Sequence, residues 1–246
     1  MIRGYYTAAS GMLYDQKRQE NIAQNLSNAE TNGFKQMVLV ASSQEEATVM
    51  NRNQTHEVGS LTMKVGLDEA YLDLSQGQLK ATNLTHDFAI NGEGYFVLEG
   101  ADGELLYTRD GSFGVDNQGR LVSKDGYPVV MSNGAYAFVN DEELKLGANG
   151  QFQAGNQTYQ FMMVQLEDYA QMQPAGANNY RYNGQPMNLT FENTEILQGM
   201  VEGSNINVVD EMTHLMSASR SYQANSKVLQ AMDQIVGQSV NEIGKI

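Results

Sequence analysis

Apolar residues recur at steps of three and four at both ends of this chain. Ile2, Tyr5, Ala9 and Met12, followed by Ile22, Ala23, Leu26 and Ala29, predict a helix over the first 35 residues. Its apolar line drifts round the helix surface, which suits a wrapping partner or several partners better than a flat core. Thr31, Asn32 and Gly33 predict its end, with Gly33 suited to a left-handed cap. At the other end, Val208, Met212, Leu215, Tyr222, Leu229, Met232, Val236, Val240 and Ile243 follow helical spacing. Ser204 and Asn205 read as caps near the start of this second helix. It should be roughly 50 Å long at about 1.5 Å per residue.

The middle follows another pattern. Asp102-Gly103, Asp110-Gly111, Asp125-Gly126, Asn133-Gly134 and Asn149-Gly150 punctuate short apolar runs such as Tyr95-Phe96-Val97-Leu98 and Arg120-Leu121-Val122. Such dipeptides between strand-like runs predict hairpins of an antiparallel meander or small sandwich. Glu45–Glu57 is polar and reads as a mobile loop, while Leu67–Leu74 partly alternates as a strand does. The expected fold is therefore α+β: long N- and C-terminal helices paired as a coiled-coil-like core, with a central antiparallel β-rich domain. The expected boundaries are 1–35 plus 204–246 for a helical assembly core, 36–85 for a linking arm and 86–203 for a β-rich outer domain.

The formal net charge of -14 argues against nucleic acid as a partner, because phosphate binding needs clustered Lys and Arg. Without cysteine there is no disulfide, thiolate metal site or Cys nucleophile. No apolar run has the roughly 18 residues that spanning a bilayer requires, so no membrane insertion is expected. Met1–Met12 lacks the apolar segment of a cleaved signal peptide. His56, His86 and His214 lie in separate segments without metal-ligand spacing. Asn91-Gly92-Glu93-Gly94 lacks the third glycine of a dinucleotide loop and precedes a strand-like run, so it reads as a tight turn. The sequence singles out no catalytic, cofactor-binding or metal-binding residue.

Asn21, Asn25, Asn28 and Asn32 fall on one stripe of the predicted first helix. Asn is a poor helix former. The stripe is either an amide face that fixes the register of neighbouring helices or a solvated face whose last members serve the helix end. From the seams, the stripe and the motifs below, the candidate subunit contacts are Ile22, Asn25, Leu26, Asn28, Gly33, Phe34, Asn205, Met212, Leu215, Tyr222, Asn225 and Leu229.

Three separated motifs carry a resemblance. Thr7-Ala8-Ala9-Ser10-Gly11-Met12, Asn25-Leu26-Ser27-Asn28-Ala29 and Thr31-Asn32-Gly33-Phe34-Lys35 form the first. Phe88–Phe96, Tyr107–Phe113 and Asn117–Val122 form the second. Glu202–Asn207 and Arg220–Lys227 form the third. In this order they resemble the flagellar basal-body rod and hook proteins, closest to the distal-rod type and its Gram-positive counterparts. The resemblance implies a structural subunit of the basal-body rod, and no enzyme. Its terminal helices would line a helical tube that transmits torque from motor to hook. It implies copies of the chain and other rod and hook proteins as partners, and passage through the flagellar export apparatus without a cleaved signal peptide. Gln36–Gly66 is short for a distal-rod arm, which leaves proximal and distal rod open. The alternative is a secreted β-domain on a helical oligomerising stalk, binding a glycan or surface partner through exposed aromatics such as Tyr180 and Tyr182.

Overall fold

The computed structural model describes residues 2–50, 57–139, 144–166, 169–189 and 194–243. The chain is α+β and divides into two compact units. The first comprises Met1–Ser27, Met37–Tyr71 and Asn207–Ile246, and the second Asn28–Gln36 and Leu72–Ile206.

The first unit contains helices α1 (Ile2–Ser27) and α2 (Val208–Ile243) and a two-stranded ribbon of β1 (Met37–Met50) and β2 (Glu57–Leu72). Helix α1 stops at Ser27, short of the expected end. The Ser27 hydroxyl donates back to the Gln24 carbonyl, and the Thr31 N–H and hydroxyl both turn onto Asn28. Such local hydrogen bonds compete with the helix ladder. Asn25 is 1% exposed, and its amide both donates to the Met37 carbonyl at 2.9 Å and accepts from the Met37 N–H at 3.1 Å. The asparagine stripe therefore does not exist as one helical face, since Asn28 and Asn32 lie beyond the helix.

Helix α2 starts on Asn207, whose side chain accepts from the Val209 N–H at 3.1 Å, and Asp210 and Glu211 occupy its first turn. Asn205 is thus not the cap; its amide is engaged elsewhere, as described below. Glu45–Met50, expected in a loop, belongs to β1, and Glu57 begins β2. Residues 51–56 lie outside the described residues.

Among the described residues, the regular elements of the second unit are β-strands and two 3-10 turns. Its strands are β3 (Leu79–Ala81), β4 (Phe88–Asn91), β5 (Tyr95–Glu99), β6 (Leu105–Thr108), β7 (Gly114–Val115), β8 (Leu121–Val122), β9 (Leu144–Leu146), β10 (Gln151–Ala154) and β11 (Gln157–Gln160). They continue with β12 (Met163–Gln165), β13 (Met172–Gly176), β14 (Asn179–Tyr182), β15 (Met187–Asn188), β16 (Glu195–Gln198) and β17 (Met200–Glu202). An antiparallel sheet of order β13-β14-β6-β5-β12-β15 is its largest element, joined by the sheet β11-β10-β9 and the pairs β16-β4, β17-β3 and β7-β8.

Four of the five expected turn dipeptides make tight connections, with Gly103, Gly126, Gly134 and Gly150 all at positive φ. Asp110-Gly111 does not. It runs straight past β4, where the Gly111 carbonyl accepts from the Phe88 N–H at 2.9 Å.

Strand β5 explains why Tyr95-Phe96-Val97-Leu98 is apolar without alternation. Phe96 and Leu98 enter one core, with Phe88, Phe113, Phe152 and Phe161. Tyr95 and Val97 enter a second core on the other face, with Tyr107, Val164, Leu166 and Tyr180. A sheet covered on both sides needs apolar residues on both sides. The first core is an aromatic cluster, with ring centroids of Phe152 and Phe161 4.7 Å apart and of Phe88 and Phe161 5.0 Å apart.

Burial in the second core pushes the Tyr180 phenol up to about 12 and raises that of Tyr95 further. Both are raised above the unfolded value of about 10, so the unfolded chain ionises first as pH rises. The stability held by these neutral phenols is complete below about pH 10 and falls above it, by roughly 1.4 kcal/mol per pH unit for each tyrosine. Chemical denaturation at a series of pH values from 9 upward should show the wild type losing stability more steeply with pH than Tyr180→Phe. Equal slopes for the two would contradict it.

Candidate functional site

In the first unit, α1 and α2 run antiparallel. A Cβ at Gly4 would meet Met232 Cε at 2.6 Å, and one at Gly11 would meet Asn225 Nδ2 at 3.0 Å. Asp15 accepts from Ser221 Oγ at 2.7 Å and from Asn225 Nδ2 at 3.1 Å. The more buried positions of α2 step by four and three: Glu211, Leu215, Ala218, Tyr222, Asn225, Leu229 and Met232. On α1 the corresponding line is Gly4, Ala8, Gly11, Asp15, Arg18, Ile22 and Asn25. The inner line of α1 is thus built from small and polar residues, which let the helices approach closely. Tyr5 and Ala23, expected on its seam, are exposed.

Of the candidate contacts, Ile22, Leu215, Tyr222, Asn225 and Leu229 face inward within this unit, Leu26 is half-buried and Met212 is exposed. Helix α2 is ten residues longer than α1, about 15 Å at 1.5 Å per residue. Because Gly4 lies opposite Met232, its surplus falls beyond that residue. Ile235, Val236 and Val240 there are 52%, 46% and 64% exposed. Val209, Met212 and Met216 are exposed nearer its start, and Tyr6 and Leu13 on α1.

The second unit holds a buried ion cluster. The Glu202 carboxylate, fully buried at the end of β17, accepts from Lys35 Nζ at 2.6 Å, Arg109 Nη1 at 3.3 Å and the Gly77 N–H at 3.0 Å. Lys35 Nζ also donates to the Ser75 carbonyl at 2.8 Å, and the Arg109 guanidinium lies 5.1 Å from the centre of the Tyr95 ring. Burial lowers the Lys35 ammonium below its usual range, opposed by Glu202.

Residues 28–36 are fastened around this cluster. The Gly33 N–H donates to the Glu202 carbonyl at 2.7 Å, Asn32 donates to Ser112 Oγ at 2.9 Å, and Asn178 donates to the Asn32 carbonyl at 2.8 Å. Asn205 accepts from the Gln36 N–H at 2.8 Å and donates to the Asp73 carbonyl at 2.9 Å. Gly33, Asn205 and Asn28 therefore belong with the β-strands, together with the half-buried Phe34. Tyr180, offered as an exposed aromatic, is 3% exposed.

Gly33 has φ +68°, and a Cβ there would collide with the backbone of Arg109 and Asp110. Gly33→Ala should lower stability by roughly 2 kcal/mol or more, the left-handed cost for an L-residue plus the displacement. A denaturant midpoint within error of the wild type would show that the backbone yields there.

Sequence reasoning missed Lys35, Arg109 and Glu202 as a group, although each stands in one of the three motifs. It also missed Asp15. Charges far apart in sequence carry no spacing signal, and a lone Asp on a mixed helix looks like surface.

A paired set of terminal helices leaves apolar side chains in solvent, and the other unit of the chain is β-rich. Residues 197–242 match the family described as flagellar basal body rod FlgEFG protein C-terminal, and residues 89–161 the flagellar hook protein FlgE/F/G D1 domain. The chain is 31% identical over 255 residues to the flagellar basal-body rod protein FlgG of Agrobacterium fabrum, covering 95% of this chain and 97% of the relative. It is 29% identical over 259 residues to FlgG of Buchnera aphidicola, covering 96% and 98%. Against the basal-body rod protein FlgF of Caulobacter vibrioides it is 27% identical over 250 residues, covering 100% of both. The chain belongs to the flagellar basal-body rod protein family, and its role is that of a structural subunit of the rod.

Proposed function

We propose that this subunit polymerises into a helical tube through the apolar side chains that its own helix pair leaves uncovered, and that the tube carries torque from motor to hook. The observation behind this is the α2 overhang, where Ile235, Val236 and Val240 follow the helix past the reach of α1. Scattered surface apolar residues are ordinary, but this many along one helix mark an interaction face. The three-four stepping of buried positions supports a coiled-coil-like pair. Head-to-tail contacts between such helices generate an open helical filament.

On this reading, 1–35 plus 204–246 form the assembly core, 36–85 an arm and 86–203 the outer domain. Residues 28–36 and 202–206, fastened to the β-strands, are the roots of the core helices. The chain catalyses nothing, leaves the cell through the flagellar export apparatus without a cleaved signal peptide, and joins copies of itself and other rod and hook proteins.

The test is swimming and basal-body morphology in cells lacking the protein, complemented with the full chain or with one missing residues 1–33. The full chain should restore rods and motility and the truncated chain should not. Normal swimming without the protein would refute the proposal.

A further inference from the structure

Asp15 is 4% exposed and sits on the inner line of α1. A buried carboxylate ordinarily has a cation beside it, because removing its charge from water costs several kcal/mol. Among the described residues no Lys, Arg or His lies within ion-pair distance of it. Its partners are two neutral donors on α2, Ser221 Oγ and Asn225 Nδ2, both directed at Oδ2.

Neither neighbouring heptad register keeps that pair of donors. Sliding α2 by one heptad replaces Ser221 and Asn225 with Val228 and Met232 in one direction and with His214 and Ala218 in the other. The first alternative offers no donor, and the second offers one ring at most. On the N-terminal side of Asp15 the α1 inner line is Gly4, Ala8 and Gly11, side chains too small to distinguish one register from the next, before Arg18, Ile22 and Asn25 follow on the other side. Apolar residues remain exposed on both helices, so slipped pairings compete with the native one.

We propose that Asp15 is the specificity-determining residue of the helix pair: it selects the native register of α1 on α2 over the neighbouring heptad registers. Pairing in a wrong register leaves the carboxylate buried without donors, or forces the seam open to hydrate it. This is the use of a single buried polar residue that best accounts for register choice in paired helices, where such a residue lowers stability while raising uniqueness. The inference concerns pairing within one chain and stands whether or not the α2 overhang joins copies.

The absence of native cysteine makes disulfide mapping clean. Gly4→Cys with Met232→Cys reports the native register, and Gly4→Cys with Ser239→Cys reports a one-heptad slip. In the purified full chain with Asp15 intact, oxidation should give an intramolecular bond in the first pair and almost none in the second. With Asp15→Leu, helix content by circular dichroism should hold or rise. The native-to-slipped ratio should fall on the order of tenfold, equivalent to about 1.4 kcal/mol. Asp15→Asn, which keeps an acceptor oxygen, should retain the native pattern. A role in stability alone would lower helix content and both crosslinks together. Asp15→Leu with an unchanged crosslink pattern would overturn the proposal. If that variant fails to fold, Ser221→Ala with Asn225→Ala decides, since native register without the donors is equally fatal.

Discussion

Glu202→Ala should be the most damaging single substitution in the β-rich unit, lowering its stability by roughly 3–5 kcal/mol. The carboxylate has no solvent exposure and answers two buried cations at once, Lys35 Nζ at 2.6 Å and Arg109 Nη1 at 3.3 Å. Removing it leaves an ammonium and a guanidinium facing each other in a low-dielectric interior, and strips the Gly77 N–H of its acceptor. Domains are stable by only about 5–15 kcal/mol, so a loss of this size takes much of the total. Glu202→Gln preserves shape and tests the charge alone.

Lys35→Met should cost less, because the Glu202–Arg109 pair remains and the Lys35 ammonium is already disfavoured by burial. The two substitutions touch one network, so their effects should not add. Chemical denaturation of the purified chain, with tyrosine fluorescence reporting the β-rich unit, measures all four corners of the cycle. A Glu202→Ala midpoint within about 0.5 kcal/mol of wild type, the range of ordinary surface changes, would remove the cluster from any account of stability.

The same cluster shows where sequence reading stops. Helices α1 and α2 were legible because their apolar steps of three and four need only local information. So were four of five turns, because Asp-Gly and Asn-Gly encode positive φ locally. The end of α1 was placed too late, since Leu26 and Ala29 keep the helical period while the Ser27 hydroxyl bonds back to Gln24 and Asn28 accepts from Thr31. The β1–β2 ribbon gave no sign of itself around Glu45, because strands without alternation carry no period-two signal.

The inner line of α1 was hidden for a related reason. Pattern reading looks for large apolar residues, and this seam uses Gly4, Ala8, Gly11 and Asp15. Glu202, Arg109 and Lys35 were each inside a motif that had been noticed, yet their meeting is a property of the fold. Residues 28–36 looked like helix by sequence and function as part of a β-rich unit, so the motif ending in Phe34-Lys35 encodes docking to strands.

Ile235→Ser with Val236→Ser and Val240→Ser should abolish rod assembly and swimming while leaving the free chain folded. These side chains are about half exposed in the single chain and lie where α2 has outrun α1. Surface changes of this kind alter monomer stability by less than about 0.5 kcal/mol each. Completing their burial between subunits is worth a different sum. Fully burying a Val or Ile contributes roughly 1.5–3 kcal/mol, so the exposed halves of three such residues contribute on the order of 3–4 kcal/mol per contact. That is roughly a hundred- to a thousand-fold in association constant. A filament repeats the deficit at every subunit, so growth stops even if nucleation survives. The expected picture is a chain that is made, exported and monomeric, with wild-type circular dichroism and no rods in basal-body preparations. Normal rods built from this variant would place the subunit contacts away from the overhang. Failure of export, with no protein outside the cell, would instead assign these residues to passage through the exporter.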